Sequence, residues 1–181
     1  YILDLKAAGA IVEPDYGKAE TPFRTGEAAM FVNGPWALGD YKKDLGDNLG
    51  VMMLPAGPGG DAASPLNGID GFYVNPNSQN PQAAVDLALF LTGKASAQIY
   101  TDKAGHVPIR SDVKAADALV GAFAEASASG FPRPQSEEFG QFWTPFGDAW
   151  TKVAEGASTP ADAVKAACAA MNAATGKTPS A

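Results

Sequence analysis

Three short apolar stretches, residues 28–32, 50–54 and 71–74, are each stopped at once by turn residues: Asn33-Gly34-Pro35, Pro55 and Asn75-Pro76. Such stops limit each stretch to a single short strand, because proline brings no N–H to a ladder and glycine favours turns. None of the three alternates apolar with polar residues. That pattern suits strands covered on both faces in an α/β protein, not half-wetted strands. Proline at a first helical position is favourable, since its missing N–H would have no partner there. Residues 35–42 are therefore expected to begin a helix, and residues 55–65 to form a flexible loop.

Helical signals fill most of the remaining chain. In "YILDLKAAG", Ile2, Leu3, Leu5 and Ala8 form an apolar side and Gly9 a stop, with Ile11-Val12 in the loop that follows. This reads as the second half of an amphipathic helix, without an initiator Met or signal region. The natural protein is expected to begin well upstream. Asn80 reads as an N-cap followed by Pro81, with Val85, Ala88, Leu89 and Leu91 as a stripe broken by Gly93. A shorter helix is expected over 95–103, and an Ala-rich one over 112–128 carrying Val113, Leu119, Val120 and Phe123. Two more follow "EEFGQFW". The last is capped by Thr159, led by Pro160, and carries Asp162 near its positive dipole end. Val164, Cys168 and Met171, at i, i+4 and i+7, are expected to form a buried stripe, with Cys168 a small buried apolar residue.

Charge and composition exclude several function classes. The net charge of −7 over 181 residues comes without a Lys/Arg cluster, which argues against nucleic acid as a partner. No apolar run approaches the roughly 20 residues of a membrane span. One Cys and one His rule out an internal disulfide and leave no metal site to expect. His106, in "AGHVPIR", has no serine-elbow motif to serve and reads as a loop residue hydrogen-bonded to backbone. Glu137 and Glu138 are adjacent, so on a helix they diverge by about 100° and cannot flank one glycosidic bond. "GPGGD" at 57–61 lacks the Lys-Ser/Thr of a phosphate loop. No catalytic residue and no cofactor is expected, and the chain does not read as an enzyme.

Aromatics beside breaks stand out instead. Trp36 follows Asn-Gly-Pro and reads as a cleft wall. Trp143 precedes Thr144-Pro145, on the same expected helix as Trp150, which reads as core.

"GEAAMFVNGPW" resembles the G-x-x-A-M-x-x-N-G-P-W segment of extracellular solute-binding proteins of the maltose-binding-protein class, the ligand receptors of sugar ABC importers. "GVMMLPAGPGG", "GIDGFYV", "NPQAAVDLALFLTGKASAQIY", "GHVPIR" and "FWTPFGDAWTKVAEGASTPADAVKAACAAM" follow in an order similar to that of the family, so the resemblance covers essentially the whole chain. It implies the C-terminal half of a helix-rich, two-lobe, periplasmic-binding-protein-like (type II) fold, with a ligand between the lobes. Residues 1–67 would belong to the second lobe. Residues 68–112 would be a segment of the first, and residues 113–181 helices returning to the second. The implied ligand-binding residues are Asn33, Gly34, Pro35, Trp36, Asp70 and Trp143. The implied partners are a mono- or oligosaccharide, the membrane permease of an ABC importer, and the missing N-terminal half of the same protein. The implied setting is extracytoplasmic, a periplasm or a cell-surface lipoprotein. A pyranose has C–H faces for aromatic rings and a hydroxyl rim for planar polar groups. A small anion or amine in the same receptor fold, or a carbohydrate-hydrolase domain, are the alternatives.

Overall fold

The computed structural model describes residues 2–57 and 59–176, with Glu137 described by its backbone alone. Tyr1, Pro58 of the 57–61 stretch, and the 177–181 tail of the last segment lie outside the described residues. Among those described, the α-helices are α1 (Ile2–Ala7), α2 (Tyr16–Arg24), α3 (Leu38–Leu45), α4 (Pro81–Thr92), α5 (Lys94–Ala104), α6 (Ala118–Ala128), α7 (Glu137–Gly140), α8 (Trp143–Ala154) and α9 (Pro160–Thr175). Two strands, β1 (Leu66–Asn67) and β2 (Phe131–Pro132), pair in parallel with Leu66 opposite Phe131. The chain divides into two compact units, one of Tyr1–Ala29 with Pro134–Ala181 and one of Met30–Arg133.

The first unit is helical. α1 ends where expected: Gly9 takes a positive φ of 96°, and Ala10 N–H closes on Leu5 C=O at 2.9 Å. The α8–α9 pair is built on small residues, with Ala149, Ala163 and Ala167 buried together and Val153 packed against them. Small side chains let two helices approach closely. Lys6 Nζ donates to the carbonyl of Ala154, the last residue of α8, at 2.6 Å, supplying a cation where the helix leaves carbonyls unpaired. α9 starts as its sequence predicts, with Thr159 Oγ1 accepting from Asp162 N–H at 3.2 Å.

The expected stripe on α9 is one residue out of register. Val164 is 55% exposed and Cys168 is exposed, whereas Ala163 and Ala167 are buried. The interface selects for small volume, not for the most apolar side chains, so Cys168 is not the buried residue it was expected to be.

In the second unit, a 3₁₀ turn over Pro35–Ala37 runs straight into α3, and Ala37, Leu38 and Tyr41 are buried. Leu38 packs against the Cα of Gly105, the left-handed residue that ends α5, where an added methyl would lie 3.4 Å from Leu38 Cδ2. Lys42 pairs with Asp117, whose other carboxylate oxygen accepts from Leu119 N–H at 2.8 Å and so caps α6. That cap shortens the expected 112–128 helix: residues 112–117 lie outside it, although Val113 among them is buried. α4 and α5 form as expected around Gly93, which serves as the end of one and the start of the other. Asn80 stands at the start of α4 without a side-chain capping bond, contrary to expectation.

β1 and β2 are joined by their ladder and by the Asn67 side chain. Phe131 N–H donates to Pro65 C=O at 2.7 Å and Arg133 N–H to Asn67 C=O at 2.9 Å. Asn67 Nδ2 reaches Ser127 C=O at 2.7 Å. The Asn67 amide also lies over Gly130, where a methyl group would come within 2.4 Å of it.

None of the three expected strands forms. Residues 28–32, 50–54 and 71–74 have no ladder partner among the described residues. Their apolar side chains are open, with Met30 83% and Tyr73 92% exposed. A strand exists only through its neighbour, and among the described residues these runs have none. α4 is in a similar condition, with no buried residue and Phe90 70% exposed.

Candidate functional site

The Asn-Gly-Pro-Trp corner is assembled by local rules. Pro35 opens the 3₁₀ turn, and Gly34 precedes it in an extended conformation, φ −111° and ψ 176°. No backbone strain calls for glycine there. The reason is steric: the Trp36 indole folds back onto the Gly34 Cα, and an added methyl would lie 2.1 Å from Cζ3 of the ring. Trp36 is nonetheless 69% exposed, so the indole rests on the backbone while most of its surface faces solvent.

Asn33 completes the corner. Its Nδ2 donates to Tyr41 Oη at 2.6 Å, and its Oδ1 accepts from Gly34 N–H at 2.9 Å. Tyr41 is buried, so a phenol anchored in α3 fixes the amide plane. The arrangement presents a flat apolar ring beside an oriented planar amide.

Asp70 lies exposed in the extended stretch after β1, in the same unit as Trp36, and makes no hydrogen bond or ion pair among the described residues. Two residues before it, Gly68 lies against the Arg133 guanidinium, with a methyl there 3.4 Å from Nη1.

Trp143 belongs to the first unit, at the first residue of α8, and is 54% exposed. It stands in a group of rings. Phe139 and Phe142 stack at 5.2 Å, 8° from parallel, and Phe142 stacks on Phe146 at 4.7 Å and 20°. The indole meets Phe139 at 82° and Phe142 at 76°. Sequence reasoning singled out Trp143 but missed Phe139 and Phe146. Their i, i+3, i+4, i+7 spacing with Phe142 and Trp143 was the available signal. Tyr41 carried no such signal. Trp150, expected in the core, is half-buried on α8 beside buried Ala149.

The remaining polar candidates form no reactive group. The His106 ring meets Tyr100 edge-on at 5.7 Å, and His106 N–H bonds Tyr100 C=O. Glu137 and Glu138 are consecutive residues of α7. Among the described residues, no three His, Cys, Asp or Glu side chains converge as a metal site would require. Arg110 donates from Nε and Nη2 to both oxygens of Asp112, at 2.8 and 3.0 Å. That bond holds the Asp112 carboxyl below its ordinary range.

The family described as bacterial extracellular solute-binding protein matches residues 1–128. The chain belongs to that family. Among its relatives in the family, the galactooligosaccharide-binding protein of Bacillus subtilis is 28% identical over 162 residues, 87% of this chain and 38% of its own length. Two solved structures are similar throughout. The maltose/maltodextrin-binding domain from Bdellovibrio bacteriovorus, bound to maltotriose, superposes with a TM-score of 0.82 at 28% identity, covering 97% of this chain and 49% of its own. The extracellular solute-binding protein from Staphylococcus aureus, in complex with maltose, gives 0.76 at 28% identity, covering 97% and 46%. The chain thus spans less than half the length of these solute-binding proteins. Its fold is the helix-rich part of a two-lobe, type II periplasmic-binding-protein-like fold.

Proposed function

We propose that this chain is part of the substrate-binding subunit of an ABC importer, which captures a neutral sugar or oligosaccharide in a cleft and performs no chemistry on it. The observation that carries the reading is the Trp36 indole, exposed yet seated on Gly34 beside an Asn33 amide fixed by buried Tyr41. A pyranose presents C–H groups on its faces and hydroxyls at its rim. An open indole matches the first, and a planar amide the second. The relatives add support, since one is named for galactooligosaccharides and two are solved with maltose or maltotriose.

In this reading Asn33, Gly34, Pro35, Trp36, Asp70 and Trp143 contribute to the ligand site. Residues 1–67 and 113–181 belong to one lobe, and residues 68–112 to the other. The remainder of the same protein covers the open face of α4 and supplies ladder partners for the three extended runs. The protein works outside the cytoplasm, in a periplasm or as a cell-surface lipoprotein, and delivers its ligand to a membrane permease.

Calorimetric titration of the full-length protein with maltotriose and a galactooligosaccharide, at low and high salt, tests this. Saturable binding that barely responds to salt is expected, because no ion pair forms with a neutral sugar. Absence of binding to either sugar overturns the reading. Strong weakening by salt would indicate a charged ligand instead.

A further inference from the structure

The rings around Trp143 form an ordered set, and resting on the reading of Trp143 as a ligand contact, we propose that Phe139 and Phe142 are positioning residues that fix the tilt of its indole. Trp143 is the first residue of α8, and its helical neighbours begin only on one side. α7 ends at Gly140, and Phe142 N–H bonds Phe139 C=O at 3.1 Å in the turn between the helices. That turn brings Phe139 and Phe142 into a near-parallel stack. Both meet the indole close to perpendicular, with centroids 5.8 and 5.4 Å away. Perpendicular and offset-stacked contacts are the two geometries that the ring quadrupole favours.

Phe146 extends the support. It stacks on Phe142 one helical turn further along, so a rotation of Phe142 must disturb contacts on both sides. Pro145 sits at the third residue of α8, where a missing N–H costs nothing and the fixed φ stiffens the first turn. An indole at a helix start, 54% exposed, would otherwise sample several rotamers. With two rings bracing it, the exposed surface keeps one orientation, and less ordering entropy is lost when a sugar stacks on it.

The test uses the full-length protein labelled with 5-fluorotryptophan, the Trp143 signal being assigned by its loss in Trp143→Phe. Phe142→Leu keeps an apolar side chain but removes the flat ring, Phe142→Tyr restores it, and Phe139→Leu provides a second variant should Phe142→Leu unfold. Without ligand, the leucine variants are expected to shift and broaden the Trp143 fluorine signal while the other tryptophans keep theirs, and the tyrosine variant to return it. With maltotriose as probe, the leucine variants are expected to bind roughly fivefold more weakly, the worth of one good ring pair, and the tyrosine variant as the parent does. An unchanged Trp143 signal in both leucine variants overturns the positioning role. A changed signal with undiminished maltotriose binding leaves the bracing intact and overturns the ligand contact on which it rests.

Discussion

An alanine methyl at position 34 would sit 2.1 Å from the Trp36 ring, so Gly34→Ala must push the indole out of its seat. Because Trp36 is mostly exposed, the displaced ring meets water and not a packed core. Stability is expected to stay within about 0.5 kcal/mol, while sugar affinity in the full-length protein falls. Trp36→Ala is expected to lose on the order of 2 kcal/mol of binding, roughly thirtyfold, with the melting temperature nearly unchanged. Half-buried Trp150 serves as the contrast: its truncation is expected to lower stability by ~3 kcal/mol through lost packing. Paired calorimetry and denaturant melts check all three, and equal destabilisation by Trp36→Ala and Trp150→Ala would place Trp36 in a core. Asp112 gives a pH-dependent case at this scale. Its folded carboxyl titrates below the ordinary range because Arg110 donates to it. The bond therefore supports its turn at pH values above the usual aspartate range, and that support is lost as pH falls through the lowered folded value. Carboxyl-carbon NMR should find Asp112 titrating below the ordinary aspartate range, and Arg110→Gln should bring it back towards that range. The corner around Trp36 was legible because glycine, proline and a bulky ring act over three residues. Tyr41 was not, because no periodicity ties Asn33 to a phenol eight residues later.

The Thr159 cap was read correctly, because a cap is a local bargain between one side chain and one N–H, whereas Asn80 makes no such bond. Thr159→Ala is expected to cost about 1 kcal/mol, seen as a lower denaturant midpoint. Helix faces were read less well. Hydropathy ranked Val164, Cys168 and Met171 above alanine, but α8 and α9 meet on Ala149, Ala163 and Ala167. The proximity of two helices depends on a partner that periodicity in one helix does not record. Ala167→Leu should therefore destabilise by about 1–3 kcal/mol through overpacking, whereas Cys168→Ser, one residue away, should stay within about 0.5 kcal/mol. The reverse order in a urea melt would restore the Val164–Cys168 stripe. The Asp117 cap makes the same point for length: an Ala-rich run reads as helix from 112, but the Asp117 carboxylate sets the start at Ala118.

At the scale of the whole molecule, the three apolar runs separate what a sequence can say from what a fold requires. Their composition reads as chain meant for burial, yet strand pairing is non-local, and among the described residues they are open and have no ladder partner. In the full-length protein, amides of residues 30–32, 51–54 and 72–74 are expected to exchange slowly with deuterium, as paired strands do. Loop-like exchange there would remove them from any sheet. The same measurement bears on α4, which leaves Val85, Leu89 and Phe90 exposed.

The β1–β2 clasp bears on how the second unit would survive being cut. Pairing Leu66 with Phe131 ties together two points far apart in sequence, and Ser64 Oγ adds a bond to Ser129 C=O at 2.8 Å. Residues 75–77 form an exposed turn between them, the kind of site a protease nicks first. A single nick there turns an intrachain loop into two fragments, yet the clasp, the Lys42–Asp117 pair and the seat of Leu38 on Gly105 all bridge the break. The fragments should run as one species on a native gel and separate only in denaturant, so that peptide-bond integrity and structural integrity come apart in this unit.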